Sequence, residues 1–123
     1  MKVKTKVLIV EDDRWQAEQH QRVLKKAGYE TFISYNAIVA IRDIDKNRPN
    51  VIILDLLLVG NTAFALLHEM KSYSDIGFIP IILCTNLASE ISIDDVAHYG
   101  VRRILDKTTM EPEDMVAAVR SVL

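Results

Sequence analysis

Glu11-Asp12-Asp13, Asp55, Thr85 and Lys107 are the residues whose types and positions could do chemistry together. Both acidic positions directly follow a short apolar run, Val7-Leu8-Ile9-Val10 before Glu11 and Val51-Ile52-Ile53-Leu54 before Asp55. Thr85 closes a third such run, and Lys107 follows a fourth. Carboxylates that meet in a cleft of low dielectric repel one another, so they hold a cation or take up protons. Oxygen ligands without histidine or cysteine nearby suit Mg²⁺, which is typically held by one or two carboxylates plus a phosphate. Lys107 would give a phosphoryl oxygen a fixed positive charge, and the Thr85 hydroxyl would give it a hydrogen bond. The chemistry expected is phosphoryl transfer onto a carboxylate, with Asp55 as nucleophile.

Such a meeting needs a fold that brings distant strand ends to one place, and the chain reads as strand then helix five times over. Val7–Val10 is a strand. Ala17, Val23, Leu24 and Ala27 then have helical spacing, with Trp15 near the start and Gly28 as the stop. Thr31–Ile33 follows as a strand, and Ala37, Ile41 and Ile44 lie on one side of a helix over Ala37–Asp45, closed by Pro49-Asn50. Val51–Leu54 is apolar throughout, as a strand covered on both faces should be. Helix Thr62–Lys71, strand Pro80–Cys84, a helix around Ile91–His98, strand Arg102–Leu105 and a helix over Pro112–Val122 complete the series. Glu111-Pro112-Glu113-Asp114 suits a helix start in both backbone restriction and dipole. The economical solution is an open parallel sheet with helices on both faces, whose ligands sit at the C-terminal strand ends where strand order reverses.

Composition narrows the field. The 123 residues make one domain, half of them hydrophobic, so both a two-domain enzyme and a disordered tail are excluded. A net charge of −2 supplies no field that would draw nucleic acid or anionic lipid. The single cysteine, Cys84, excludes a disulfide framework and reads as a buried, inert thiol. No apolar run approaches a membrane span and no signal peptide follows Met1–Lys6, so a cytoplasmic protein is the expectation. His20, His68 and His98 lack ligand spacing and read as surface or helix-edge residues.

With Leu8-Ile9-Val10-Glu11-Asp12-Asp13, Ile52-Ile53-Leu54-Asp55, Ile82-Leu83-Cys84-Thr85 and Lys107 on the page, the sequence resembles the receiver domains of bacterial two-component response regulators over nearly its whole length. The single-domain chemotaxis regulator is the simplest of these. The separations, 43 residues from Asp12 to Asp55, 30 from Asp55 to Thr85 and 52 from Asp55 to Lys107, are the family's too. The resemblance implies one receiver domain over 1–123 with a (βα)5 doubly wound sheet, a three-layer α/β/α sandwich of flavodoxin-like strand order 2-1-3-4-5. It implies that Asp55 takes a phosphoryl group from the phosphohistidine of a sensor kinase or phosphotransfer protein. Mg²⁺ would be held by Asp12, Asp55 and the backbone carbonyl of Leu57, with Glu11 acting through metal-bound water. Thr85 and Lys107 would bind the phosphoryl oxygens, and Asp13 would start the first helix. Such a domain phosphorylates and dephosphorylates itself in a Mg²⁺-dependent way without being a dedicated enzyme. It signals to a downstream output protein or fused effector, without touching nucleic acid or membrane itself.

Several positions depart from the family. Ile104 stands where an inward-turning aromatic is usual, so the coupling between threonine and aromatic is not expected to work unchanged. Thr108 follows Lys107 where a cis proline is usual, and a cis bond before a non-proline costs about 2.5–4 kcal/mol, so a trans or rearranged loop is expected. Val59 and Ala63 replace a proline and a glycine after the acceptor, and apolar Leu57 could shield the phosphoryl group from water; in that case Leu57→Asn would hydrolyse faster. Asn86, beside Thr85, would narrow access for small donors. Gly100-Val101-Arg102-Arg103 carries two positive charges where an acidic pair supports dimerisation in many relatives, so that mode is not expected. These departures support a rival reading, a degenerate receiver that binds partners whatever its phosphorylation state. A phosphatase of the haloacid-dehalogenase type is disfavoured, since it wants an acid where Leu57 stands. Dinucleotide binding lacks its glycine-rich turn after Val10.

Overall fold

Strands whose every residue is apolar must be covered twice, and the computed structural model, which describes residues 3–55 and 62–123 (of Thr62 and Ala63 the backbone only), shows how. The strands β1 (Lys6–Val10), β2 (Glu30–Ser34), β3 (Val51–Leu54), β4 (Ile81–Thr85) and β5 (Val101–Asp106) form one sheet in the order β2-β1-β3-β4-β5. All of its pairings are parallel. The helices are α1 (Arg14–Lys26), α2 (Ala37–Asn47), α3 (Thr62–Lys71), α4 (Ile93–Val96) and α5 (Pro112–Ser121). This is the (βα)5 receiver architecture that the resemblance implied.

Period-two alternation sorts each strand between two cores. Leu8, Val10, Ile52, Leu54 and Leu83 face α2 and α3, where Ala40, Ile44, Leu67 and Met70 meet them. Val7, Ile9, Val51, Ile53, Ile82 and Cys84 face α1 and α5, against Leu24, Met115 and Val119. Continuous apolar runs in the sequence therefore correspond to strands with no wet face. β1 lies between β2 and β3, so the chain reverses its direction of travel across the sheet beside β1, and a crevice opens at the C-terminal ends of β1 and β3.

Local signals act where expected. The Asp13 carboxylate accepts a hydrogen bond from the Gln16 N–H at 2.9 Å, capping α1. Gly28, at φ +99°, takes the left-handed conformation just past that helix. At α5, Pro112 occupies the first turn and the Asp114 carboxylate accepts from the Glu111 N–H at 2.8 Å. One expectation is corrected. The helix foreseen over Ile91–His98 is only a single α-helical turn, with 3₁₀ turns at Ala88–Glu90 and Ala97–Tyr99. Ser92 caps α4, accepting from the Asp94 N–H at 3.3 Å, and Gly100 at φ +90° ends the segment. A cap and a stop ten residues or fewer apart leave little room for a regular helix.

Candidate functional site

The crevice gathers four of the five predicted side chains, the three carboxylates and the lysine. Backbone bonds carry each sheet neighbour past its strand: the Glu11 N–H donates to the Ser34 carbonyl at 3.0 Å, and the Asp55 N–H to the Val10 carbonyl at 3.0 Å. Glu11 and Asp55 thus leave adjacent strands side by side, with Asp12 next to them. The carboxylates of Glu11, Asp12 and Asp55 each offer an oxygen within 4.8 Å of the others. Glu11 and Asp55 are buried, at 2% and 6% exposure, whereas Asp12 is half-buried and opens the cluster to solvent.

Lys107 reaches this cluster from the far side of the sheet. Its N–H donates to the Thr85 carbonyl at 3.0 Å, which extends the β4–β5 pairing by one step. Its Nζ lies 2.5 Å from Glu11 Oε1 and 3.2 Å from Asp55 Oδ2. No cis peptide occurs among the described residues, so the Lys107–Thr108 bond is trans, as expected, and the lysine still enters the site. Asp106 takes over loop closure, accepting from both the Thr108 N–H (2.8 Å) and the Thr108 hydroxyl (2.6 Å).

Burial raises the Glu11 carboxyl to about 7, against the pull of the Lys107 ammonium and with the repulsion of Asp55 added. Lys107 is raised by its bonds to Glu11 and Asp55, which outweigh the cost of burial, so it stays an ammonium. A crowd of carboxylates that holds a proton near neutrality is short of positive charge. Its donors are all oxygen, with no imidazole or thiolate among them, and one is open to water. That set fits Mg²⁺.

Thr85 ends β4 at the same C-terminal edge of the sheet and is fully buried, and its hydroxyl oxygen accepts from the Leu87 N–H at 3.0 Å. Ile104 is half-buried against the core on the α2–α3 face. Leu57, its carbonyl, Val59 and the rest of Leu56-Leu57-Leu58 lie outside the described residues, so the expectations placed on them stand as sequence readings. Trp15 is 69% exposed and, with Asn86 and Lys107, lines a cavity of about 410 Å³ between α1 and the start of α5.

His20 corrects the sequence reading. It is buried at 9% exposure and lines that cavity, whereas His68 and His98 are exposed as foreseen. Burial lowers its imidazole to about 4, helped by the Lys107 charge, so it is neutral at physiological pH. Its Nδ1 has no partner in the structure. The signal was in the sequence: His20 stands three after Ala17 and four before Leu24, on the buried stripe of α1.

Comparison with known proteins agrees with this geometry. The sequence model described as response regulator receiver domain matches residues 7–120. The sensory transduction protein RegX3 of Mycobacterium tuberculosis is 29% identical over 122 residues. That alignment takes in 97% of this chain but 51% of RegX3, so the chain spans about half the length of the curated relatives it matches. Among solved structures, the chemotaxis response regulator CheY4 of Vibrio cholerae superposes with a TM-score of 0.84 at 27% identity, covering 98% of this chain and 100% of CheY4. The signal receiver domain of a histidine kinase from Syntrophus aciditrophicus gives 0.80 at 30% identity, covering 97% of this chain and 89% of that one.

Proposed function

The chain belongs to the response regulator receiver family, and from that membership we propose that residues 1–123 form one receiver domain that is phosphorylated on Asp55. The donor is the phosphohistidine of a sensor histidine kinase or phosphotransfer protein. The observation that carries this reading is the buried Asp55 carboxylate, grouped with Glu11 and Asp12 and 3.2 Å from the Lys107 ammonium.

An Asp55 oxygen attacks phosphorus, the P–N bond breaks, and the imidazole departs with its electron pair and takes a proton. The product is an acyl phosphate. Glu11, Asp12, Asp55 and the Leu57 carbonyl would hold Mg²⁺, which supplies charge neutralisation for the transferring group. Lys107, held on Glu11 and Asp55, supplies a second positive charge, and the Thr85 hydroxyl, which only accepts from the Leu87 N–H, has its own O–H to donate to the phosphoryl group. The altered surface then signals to an output protein or effector. Arg102 and Arg103 are both exposed, so pairing through an acidic patch at that face is not part of the proposal. Among the described residues no helix is long and apolar enough to cross a membrane, and we place the domain in the cytoplasm.

Incubation with Mg²⁺ and a phosphohistidine-bearing kinase or phosphotransfer protein, with a small acyl phosphate as second donor, read by intact mass, tests this. One phosphoryl group should add, and both Asp55→Asn and chelation of Mg²⁺ should abolish the addition. An unmodified protein, or equal labelling of Asp55→Asn, refutes it. Ile104 favours the rival, a binding module whose acceptor is uncoupled from output, because an isoleucine packed in the core offers no aromatic ring to turn inward. Amide NMR of the phosphorylated or beryllofluoride-treated domain separates the two. Shifts reaching Ile104 support switching, and shifts confined to the crevice support the module.

A further inference from the structure

Lys107 is the first residue after β5, where a chain is ordinarily loose, yet its side chain is nine-tenths buried and bridges Glu11 and Asp55. Something must fix its backbone. On one side the Lys107 N–H donates to the Thr85 carbonyl at 3.0 Å. Past that bond the chain leaves the sheet, and Thr108 and Thr109 are exposed. Asp106 holds them. Its Oδ1 accepts from both the Thr108 N–H (2.8 Å) and the Thr108 hydroxyl (2.6 Å). Its carbonyl accepts from the N–H groups of Thr109 (3.2 Å) and Met110 (2.9 Å). The Thr108 hydroxyl, and after it the Thr108 N–H, draw the Asp106 carboxyl below its usual range, so it is ionised and can only accept. Among the described residues the carboxylates grouped for a metal are Glu11, Asp12 and Asp55, and Asp106 is not one of them. Its carboxylate is turned to the loop, not to the cation site.

We propose that Asp106 and Thr108 are positioning residues for Lys107, a side-chain clasp closed across the lysine that sets where its ammonium stands between Glu11 and Asp55. The two residues flank Lys107 directly, so joining them fixes the backbone angles of the residue between and the direction in which its side chain leaves. That direction matters because the charge sits at the far end of a flexible four-carbon stem, where a small backbone rotation is magnified. A backbone turn alone would need only the bonds to the Asp106 carbonyl. The two further bonds, both onto one carboxylate oxygen, add a lock that a side-chain substitution can open. Neither residue is catalytic; both act through the lysine. Only the functional half of the proposal, the effect on phosphorylation, rests on the phosphoacceptor reading.

Acetic anhydride labelling of lysines in the full chain, read by peptide mass, tests the placement directly. In the wild type Lys107 should label far more slowly than exposed Lys25. Asp106→Ala, which breaks both side-chain bonds, should speed Lys107 toward the Lys25 rate, and Thr108→Val, which keeps the N–H, should fall between. Asp106→Asn and Thr108→Ser keep an acceptor and a hydroxyl, so they should stay protected. Mg²⁺-dependent phosphorylation tests the consequence. Asp106→Ala should slow it by up to about a hundredfold, the scale of an ångström's misplacement, and Asp106→Asn should restore it. Added to Lys107→Met, Asp106→Ala should slow it no further, because its effect passes through the lysine. Circular dichroism verifies each fold, and if Asp106→Ala does not fold, Thr108→Val decides. Lys107 as protected in Asp106→Ala and Thr108→Val as in the wild type overturns the proposal. So does further slowing on the Lys107→Met background. A wild type that accepts no phosphoryl group refutes the phosphoacceptor reading instead, and the labelling still decides the clasp.

Discussion

At the scale of the residue, Lys107 and the metal compete for the same negative charge. Replacing Lys107 by methionine removes an ammonium from Glu11 and Asp55 without opening a large void, so Mg²⁺ should bind the variant more tightly while phosphorylation slows. Fluorescence titration, with Trp15, which lines one cavity with Lys107, as reporter, and intact-mass kinetics measure the two effects. A variant with weaker Mg²⁺ binding would show that Lys107 organises the carboxylates instead of opposing the cation. His20 and Glu11 make opposite pH contributions. His20 is lowered from 6.5 to about 4, so between those values the unfolded chain takes up a proton that the folded one refuses. Its stabilising effect is complete above pH 6.5 and is lost on acidification, by about 3 kcal/mol in all. Glu11 is raised from 4.5 to about 7, so its contribution is complete below 4.5 and is lost as pH rises through 7. Without Mg²⁺ the wild-type stability should therefore be nearly flat from pH 4.5 to 6.5. His20→Leu should lose stability as pH rises through that window, at up to about 1.4 kcal/mol per unit, in urea unfolding. Parallel curves for the two proteins would contradict the buried, neutral imidazole.

Elements explain which parts of this were legible in advance. The strands and the site residues at their ends could be read because a doubly covered strand writes an unbroken apolar run, and the acid that ends it stands out. The α4 region could not be read that way. Ile91, Val96 and Tyr99 suit a helical stripe, but Ser92 caps and Gly100 stops so near each other that one α-turn and two 3₁₀ turns result. The placement of His20 was missed for a different reason, since composition puts histidine at surfaces while periodicity put this one inside. Amide exchange should accordingly be fastest, within the helices and 3₁₀ turns described, over Ala88–Tyr99 and slowest in β1, β3 and β4, whose residues are buried on both faces. The turn before β4 is tighter than its sequence suggests. A Cβ on Gly77 would stand 2.7 Å from the Tyr73 carbonyl oxygen and 3.0 Å from that of Met70, both backbone atoms. Gly77→Ala should cost about 1–3 kcal/mol in chemical denaturation, and a neutral result would mean that the turn relaxes freely.

Over the whole molecule, the crevice draws on residues from both halves of the chain, so a cation bound there should steady the entire sheet. At a hundred times its dissociation constant, Mg²⁺ should add about 2.7 kcal/mol to unfolding stability. The gain should vanish in Asp12→Asn and appear as a higher midpoint by calorimetry in wild type only. The outer margin of the sheet on the β5 side has another consequence. β5 has a neighbour on one side alone, carries exposed Arg102 and Arg103 at its start, and slips register against β4 between Ile81 and Ile82. A strand so charged and so unevenly paired is a poor template for a sixth strand from another molecule. The protein should stay free of fibrils at concentrations where an Arg102→Val/Arg103→Val variant begins to stack edge to edge.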